Sequence, residues 1–354
     1  MRKVVVAMSG GVDSSAVCAI LKQDGWEVIG ITLRFFSPGG KPICCGADES
    51  ISRAREVCET LGIRHYVKDA RALFREKVMD NFASSYLAGL TPNPCVECNR
   101  FLKFDYLFKI SEGLGASALA TGHYAVLKKG EDGIELCRGV DPLKDQSYFL
   151  YCLSRKTLPN LLFPLGSLKK EETRSIAASC KLPAARSKES KDICFIPDGD
   201  YARWLKERGG FKPESGYIKN EKGKILGRHK GYFNFTVGQR RNLGISAGER
   251  LYVSSIRPAE NEVVVSSLDG AMFSGMEVSS LNWLSDFKPR HGVKCMVQIR
   301  YRHKPCEALV ETKLDGAIRL RFSRKQFAVT CGQSAVFYEG DRVLGGGIIS
   351  AALK

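Results

Sequence analysis

Seven residues near the start of the chain, Ser9-Gly10-Gly11-Val12-Asp13-Ser14-Ser15, limit what it can fold into more than any other stretch. Val4, Val5 and Val6 precede them as the β-branched apolar run of a buried parallel strand, and Ser14 to Leu21 spaces its apolar residues for a helix. Two glycines let the backbone turn tightly and approach a ligand, and the small hydroxyls can donate to anionic oxygens. The helix then aims its unpaired N–H groups and positive dipole end at the same spot. The stretch reads as a phosphate cradle. Its spacing is neither the G-x-x-x-x-G-K-[ST] nor the G-x-G-x-x-G form. Two or three such residues would suit an ordinary turn, but all seven after a strand favour the cradle.

Downstream, Glu27 to Phe35 reads as a second strand, Ser50 to Leu61 as a helix, Ile63 to Val67 as a strand, and Arg71 to Leu90 and Phe101 to Leu114 as helices. Ala118 to Tyr124 reads as strand then turn, and Lys169 to Cys180 as a helix. Strands alternating with helices imply parallel βαβ units with ligands at the carboxyl ends of the strands. Beyond about Tyr201, short strand-like runs broken by Gly, Asn and Pro signal all-β structure. At 354 residues two or three domains are expected. The reading is an α/β, Rossmann-like parallel-sheet domain over 1–200, a small middle domain over 201–275 and a C-terminal β-barrel over 276–354.

A net charge of +16 calls for an anionic macromolecular partner, with nucleic acid ahead of an acidic membrane surface because no basic amphipathic helix with an aromatic face stands out. No apolar run approaches membrane-spanning length, and Met1-Arg2-Lys3 leads straight to a strand, so a cytoplasmic protein is expected. Thirteen cysteines, an odd number scattered along a long chain, argue against a disulfide framework. Most are read as small buried apolar residues, Cys18, Cys58, Cys137, Cys152 and Cys180 among them. Cys44-Cys45 forms a pair with no assigned role.

SGGVDSS resembles the PP-loop of ATP pyrophosphatases, which split ATP between the α and β phosphates. Further segments resemble one group within them, the MnmA-type tRNA-uridine 2-sulfurtransferases. These are AMSGGVDSS at 7–15, TPNPCVECNRFLKFD at 91–105, ATGHYA at 120–125, KDQSYFL at 144–150, DICFI at 192–196, FTVGQRRNLGI at 235–245 and IRYRHKP at 299–305. The resemblance covers the chain from end to end. It implies that Mg-ATP adenylates O2 of a wobble uridine in tRNAs of the Lys, Glu and Gln types, and that a protein-bound sulfur displaces AMP to leave 2-thiouridine. It places ATP on Ala7, Met8, Ser9, Gly10, Gly11, Val12, Asp13, Ser14, Leu33 and Gly122, with Asp13 near phosphate and Mg²⁺.

By the same resemblance Cys194 carries the sulfur as a persulfide received from a cysteine desulfurase or relay protein. Cys98 releases it toward the base and ends in a disulfide with Cys194. Sulfur suits the step because thiolates and persulfides are ionised and polarizable near neutral pH. Cys98 is read as lying just before a helix whose N-terminus favours its thiolate, with Lys188 and Lys191 beside Cys194. Many members of the family have an acidic residue where this chain has Cys95. Cys95, Cys98 and Cys194 could therefore instead hold an iron–sulfur cluster that carries sulfide, and both routes stand.

The resemblance assigns tRNA contacts to Asn93, Pro94 and Cys95, to Lys144, Asp145 and Gln146, and to Arg300 and Tyr301. From Asp286 to Gln326 eleven Lys/Arg face three Asp/Glu after Asp286, with Tyr301 and Phe322 between them, a mix suited to phosphates and an unstacked base. Reaching C2 of a wobble base requires flipping it out of the stack. Amide-forming ligases and lysidine-forming enzymes share the loop, but the first need an ammonia route and the second no paired cysteines. A non-catalytic RNA-binding protein with a structural metal would make the loop an accident and consume no ATP.

Overall fold

The computed structural model describes residues 2–36, 47–131, 133–186, 193–196, 198–208, 214–286, 290–312 and 317–354. Cys44, Cys45, Lys188, Lys191 and Asp192 lie outside these residues.

Seven strands occupy the first part of the described chain: β1 (Lys3–Ala7), β2 (Glu27–Arg34), β3 (Arg64–Asp69), β4 (Ala118–Ala120), β5 (Ala125–Gly130), β6 (Gly133–Arg138) and β7 (Leu161–Leu162). Five of them form a parallel sheet in the order β3-β2-β1-β4-β7. Alternation along β1 divides the core. Val4 and Val6 pack under the helices Val12–Gln23, Asp48–Thr60 and Lys170–Ser179. Val5 faces the other way, with Ile31, Leu119, Phe74, Leu102 and Leu107. A sheet covered on both faces explains why its strands read as unbroken apolar runs. The order reverses between β1 and β4, which makes their carboxyl ends the switch point where such sheets bind ligands.

Strands β8 (Ser215–Asn220), β9 (Ile225–Lys230), β10 (Tyr252–Arg257) and β11 (Glu262–Ser266) make the middle sheet, with β8 beside both β9 and β11. It is fastened to the first domain by Tyr201 stacked on Tyr86 with ring centroids 4.7 Å apart, by the Arg208–Asp80 ion pair, and by the Tyr232 hydroxyl donating to Leu87 O at 2.7 Å.

The remaining strands are β12 (Met272–Trp283), β13 (Lys294–Gln298), β14 (Cys306–Thr312), β15 (Ile318–Phe327), β16 (Ser334–Glu339) and β17 (Arg342–Leu353). They pair antiparallel in the order β12-β15-β14-β13-β16-β17, and β12 also pairs with β17, closing a six-stranded barrel. The sheet does not stop there. The β5–β6 hairpin of the first domain extends it through Arg342 and Cys137, so the seam between first domain and barrel is hydrogen-bonded backbone. The sequence reading contained neither β5 nor β6 as strands. Among the described residues no helix is long and apolar enough to cross a membrane.

Candidate active site

The loop after β1 leads into the helix Val12–Gln23, whose N-cap is Gly11 and which no side chain caps. Gly10 has φ +71°, and a Cβ there would stand 2.2 Å from Ser50 O, so only glycine lets the chain turn here. The hydroxyls of the loop brace it internally. Ser14 Oγ accepts from Ser9 N at 3.2 Å and Ser15 Oγ donates to Gly11 O at 2.9 Å. The uncapped helix end is left to an anion.

Asp13 is the only acidic residue lining the cavity beside this loop, among the described residues. Lys170 Nζ, on a side chain 8% exposed, donates to its two carboxylate oxygens at 2.6 and 2.8 Å. The Tyr124 hydroxyl donates to Asp13 Oδ1 at 2.9 Å and lies 3.0 Å from Thr173 Oγ1. A lysine from the helix Lys170–Ser179 and the tyrosine that immediately precedes β5 thus fix one carboxylate between them. Gly122 closes the opposite side: a Cβ there would lie 3.0 Å from Asp13 Cβ and 3.1 Å from Ser14 N, so the two loops touch backbone to backbone.

This open cavity measures about 170 Å³. Its lining combines the apolar Ile31, Leu33, Phe35 and Leu107 with the polar Ser9, Asp13, Ser14, Lys103, Thr121, His123 and Gln146. A lining of both kinds suits a ligand with an apolar base and charged phosphates. Of the residues the sequence reading gave to ATP, Ala7, Met8, Ser9, Asp13, Ser14, Leu33 and Gly122 line the space. Gly10, Gly11 and Val12 shape the turn beneath it, Val12 being buried in the core.

His123 is buried 5.6 and 5.9 Å from the Phe104 and Phe163 rings. Burial, and then the charge of Lys103, hold its pKa well below the usual histidine value, so it is neutral. Its Nδ1 lies 2.7 Å from Thr121 Oγ1 and its Nε2 3.5 Å from Lys103 Nζ. Since an ammonium only donates, Nε2 is the acceptor and Nδ1 carries the proton. Gln146 Oε1 accepts from Tyr124 N at 3.1 Å, which ties the KDQSYFL segment to this cavity.

The cysteine segment is organised differently from the sequence expectation. Helix begins at Pro94, with Asn93 as N-cap, and runs Pro94–Glu97, then Cys98–Tyr106 wound as π-helix, then Leu107–Gly113. Cys95 stands in the first turn and is exposed, whereas Cys98 lies inside the helix. The dipole argument made for Cys98 therefore applies to Cys95. Gln333 Nε2 donates to Thr91 O at 2.9 Å and to Pro92 O at 3.3 Å, and Thr91 N donates to Cys331 O at 2.9 Å, so the TPNP turn is pinned to one end of the barrel. Cys98 and Cys194 are half-buried against one hydrophobic core, Cys194 preceding Phe195, which packs on Phe74, Phe82 and Trp204. No group of three or more Cys, His, Asp or Glu arranged to hold a metal ion occurs among the described residues.

Of the residues read as RNA contacts, Tyr301 is half-buried and packs its ring 4.5 Å from that of Phe149. Arg300 Nη1 donates to Phe327 O at 2.9 Å, holding the barrel rim. Asp145 is 9% exposed and fully engaged: Arg138 Nη1 and Ser147 Oγ donate to its Oδ2, and Gly139 N and Ser147 N to its Oδ1, all at 2.9–3.0 Å. Its contacts are to the seam.

The tRNA methyl transferase HUP domain family matches residues 2–198, the tRNA methyl transferase PRC-barrel domain 203–267 and the aminomethyltransferase beta-barrel domain 273–349. The tRNA-specific 2-thiouridylase MnmA of Geotalea uraniireducens is 44% identical over 100% of this chain and 96% of its own, and that of Magnetococcus marinus 43% identical over 98% and 99%. The chain belongs to the MnmA family. The matching relative from Rickettsia felis, 44% identical over 99% and 97%, bears the same name. A crystal structure of a 4-thiouridine synthetase–RNA complex with bound ATP covers 58% of this chain and 50% of its own, at 16% identity and a TM-score of 0.39. The methyl transfer in the domain descriptions does not describe the family's named activity, which is thiolation. Sequence reasoning missed Lys103, Tyr124 and Lys170 as parts of the site. Lys103, inside KFD, and Tyr124, inside ATGHYA, sat in text already singled out. Nothing local marks Lys170, which only the packing of two helices brings to Asp13.

Proposed function

We propose that this protein is an ATP-dependent tRNA sulfurtransferase that converts a wobble uridine to 2-thiouridine in the cytoplasm. The observation carrying this reading is a shared wall: Lys103 and Leu107, from the helix that begins at Pro94-Cys95, line the cavity made by the PP-loop. A nucleotide held there stands beside the helix that carries Cys98.

The uridine O2 attacks the α-phosphorus of ATP, the bond to the bridging oxygen breaks, and pyrophosphate leaves while the N3 proton is lost. The oxygen becomes part of AMP, a far better leaving group than oxide. The terminal sulfur of a persulfide on Cys194 then attacks C2, and the C2–O bond breaks with release of AMP. Cys98 thiolate attacks the inner sulfur and the S–S bond of the persulfide breaks. The products are 2-thiouridine and a Cys98–Cys194 disulfide, so two thiol electrons reduce the sulfane sulfur. ATP and tRNA are substrates, and a cysteine desulfurase or relay protein reloads the carrier. Mg²⁺ would supply charge neutralisation at the phosphates, with Asp13, the only acidic residue among the described ones lining the cavity, to hold it. Asn93, Pro94, Cys95, Lys144, Gln146, Arg300 and Tyr301 are proposed to face the anticodon arm, directly or by shaping that surface.

Cys98→Ala and Cys194→Ala are each expected to abolish thiolation, read by nucleoside mass spectrometry, while tRNA binding in gel shift stays as in the wild type. Full thiolation by either variant removes that residue from the mechanism. Cys95→Asp is expected to remain active with a persulfide donor under air-free conditions. Loss of activity together with loss of bound iron would instead establish a three-cysteine cluster as the sulfide carrier.

A further inference from the structure

The PP-loop has no lysine, unlike the Walker form, in which the loop itself carries a cation to the phosphates. Nucleotidyl transfer is mostly positioning and charge stabilisation, so a cation must come from another element. Among the described residues lining the cavity Lys103 is the only lysine or arginine. Lys170, the nearest alternative, is bonded to both oxygens of Asp13.

Lys103 reaches that position through an unusual winding. Cys98–Tyr106 is π-helix, with i→i+5 in place of i→i+4 bonding. At 3.6 residues per turn a side chain five positions on points to the far side of the helix, whereas the wider turn brings residues 98 and 103 back toward one side. The winding thus turns Lys103 toward the flank that carries Cys98. Neutral His123, fixed by Thr121, accepts from the ammonium and leaves its charge intact.

We propose that Lys103 is a catalytic residue of this enzyme, its ammonium contacting the α-phosphoryl group as O2 of uridine attacks and again as AMP departs. This rests on the adenylation reading above. The bonds made and broken are those already given; Lys103 neutralises charge that grows on the phosphoryl oxygens and transfers no proton.

The test uses the full chain with Mg-ATP and a wobble-uridine tRNA, following tRNA-dependent AMP. If the wild type releases none, the adenylation reading itself fails and Lys103 is not at issue. With an active wild type, Lys103→Met is expected to lower AMP release at saturating substrates by about 10²–10³-fold, the usual effect of removing one charge-stabilising donor. tRNA affinity should stay within about twofold, and Lys103→Arg should recover at least about a tenth of the rate. A Lys103→Met enzyme within about threefold of wild type overturns the proposal. Should that variant fail to fold, amine acylation of the wild-type protein decides: ATP must shield Lys103, and unchanged labelling at saturating ATP overturns the proposal equally.

Discussion

Under the proposed function Asp13 and Lys170 divide one task between them: the cavity-lining carboxylate would face the phosphate end of the ligand, and the lysine bonded to it would keep it from repelling that ligand. Lys170→Met leaves a carboxylate without its cation beside bound polyphosphate. It is expected to raise the KM for ATP at least about tenfold in steady-state AMP assays, since a lost charge-assisted bond is worth about 1.5–3 kcal/mol. An unchanged KM would show that Asp13 does not approach the phosphates. His123 makes a prediction of the opposite kind. Because burial keeps it neutral, it supplies no ionisation to the activity profile between pH 6 and 8, and His123→Asn should leave the shape of that profile unaltered. The residues recognisable in sequence were those whose neighbours in the chain are also their neighbours in space, such as Ser9 to Ser15. Asp145 shows the converse. It stands in a recognisable motif, yet its partner Arg138 ends a hairpin that the sequence did not announce, so its hydrogen bonds to the seam were not legible.

At the scale of elements, the parallel sheet was legible because buried strands are unbroken β-branched runs and the loops between them carry glycine. The β5–β6 hairpin was not, because Ala125–Gly130 is half-exposed and pairs with β6, which meets the barrel only at Arg342, far along the chain from Cys137. π-winding escaped notice for a similar reason, as it leaves no composition signal. Two elements meet where the TPNP turn rests on the barrel. Gly332 has φ +90° there, and a Cβ would lie 2.9 Å from Thr91 N and O. Gly332→Ala is therefore expected to cost about 1 kcal/mol or more and to displace the turn that starts the cysteine helix. Thiolation should fall more than ATP binding does, as seen by comparing 2-thiouridine yield with nucleotide affinity. Equal losses would mean that the turn only stabilises the fold.

Across the whole molecule, charge and histidine burial set how the protein responds to solution conditions. A net charge of +16 predicts tRNA binding that weakens steeply with salt, roughly linearly in log–log form, and Tyr301→Ala should weaken binding without changing that slope. Burial lowers the pKa of His65, His123, His229 and His303 alike. A depressed histidine stays neutral in the fold while the unfolded chain takes up a proton near pH 6.5. Stability is thus fully present above that value and is lost as pH falls below it, by at most about 1.4 kcal/mol per unit for each group. Glu97, raised by burial, acts with the opposite sign nearer its own lower range. Urea midpoints should drop from pH 7 to pH 5, and a flat profile would contradict the neutral state of these rings. The central claim, that ATP activates a uridine for replacement of O2 by sulfur, is tested most directly on a wobble-uridine anticodon stem-loop labelled with ¹⁸O at O2. The loaded protein and Mg-ATP should convert it to 2-thiouridine while the label passes into AMP in equal amount. Thiouridine formed with unlabelled AMP would contradict the account.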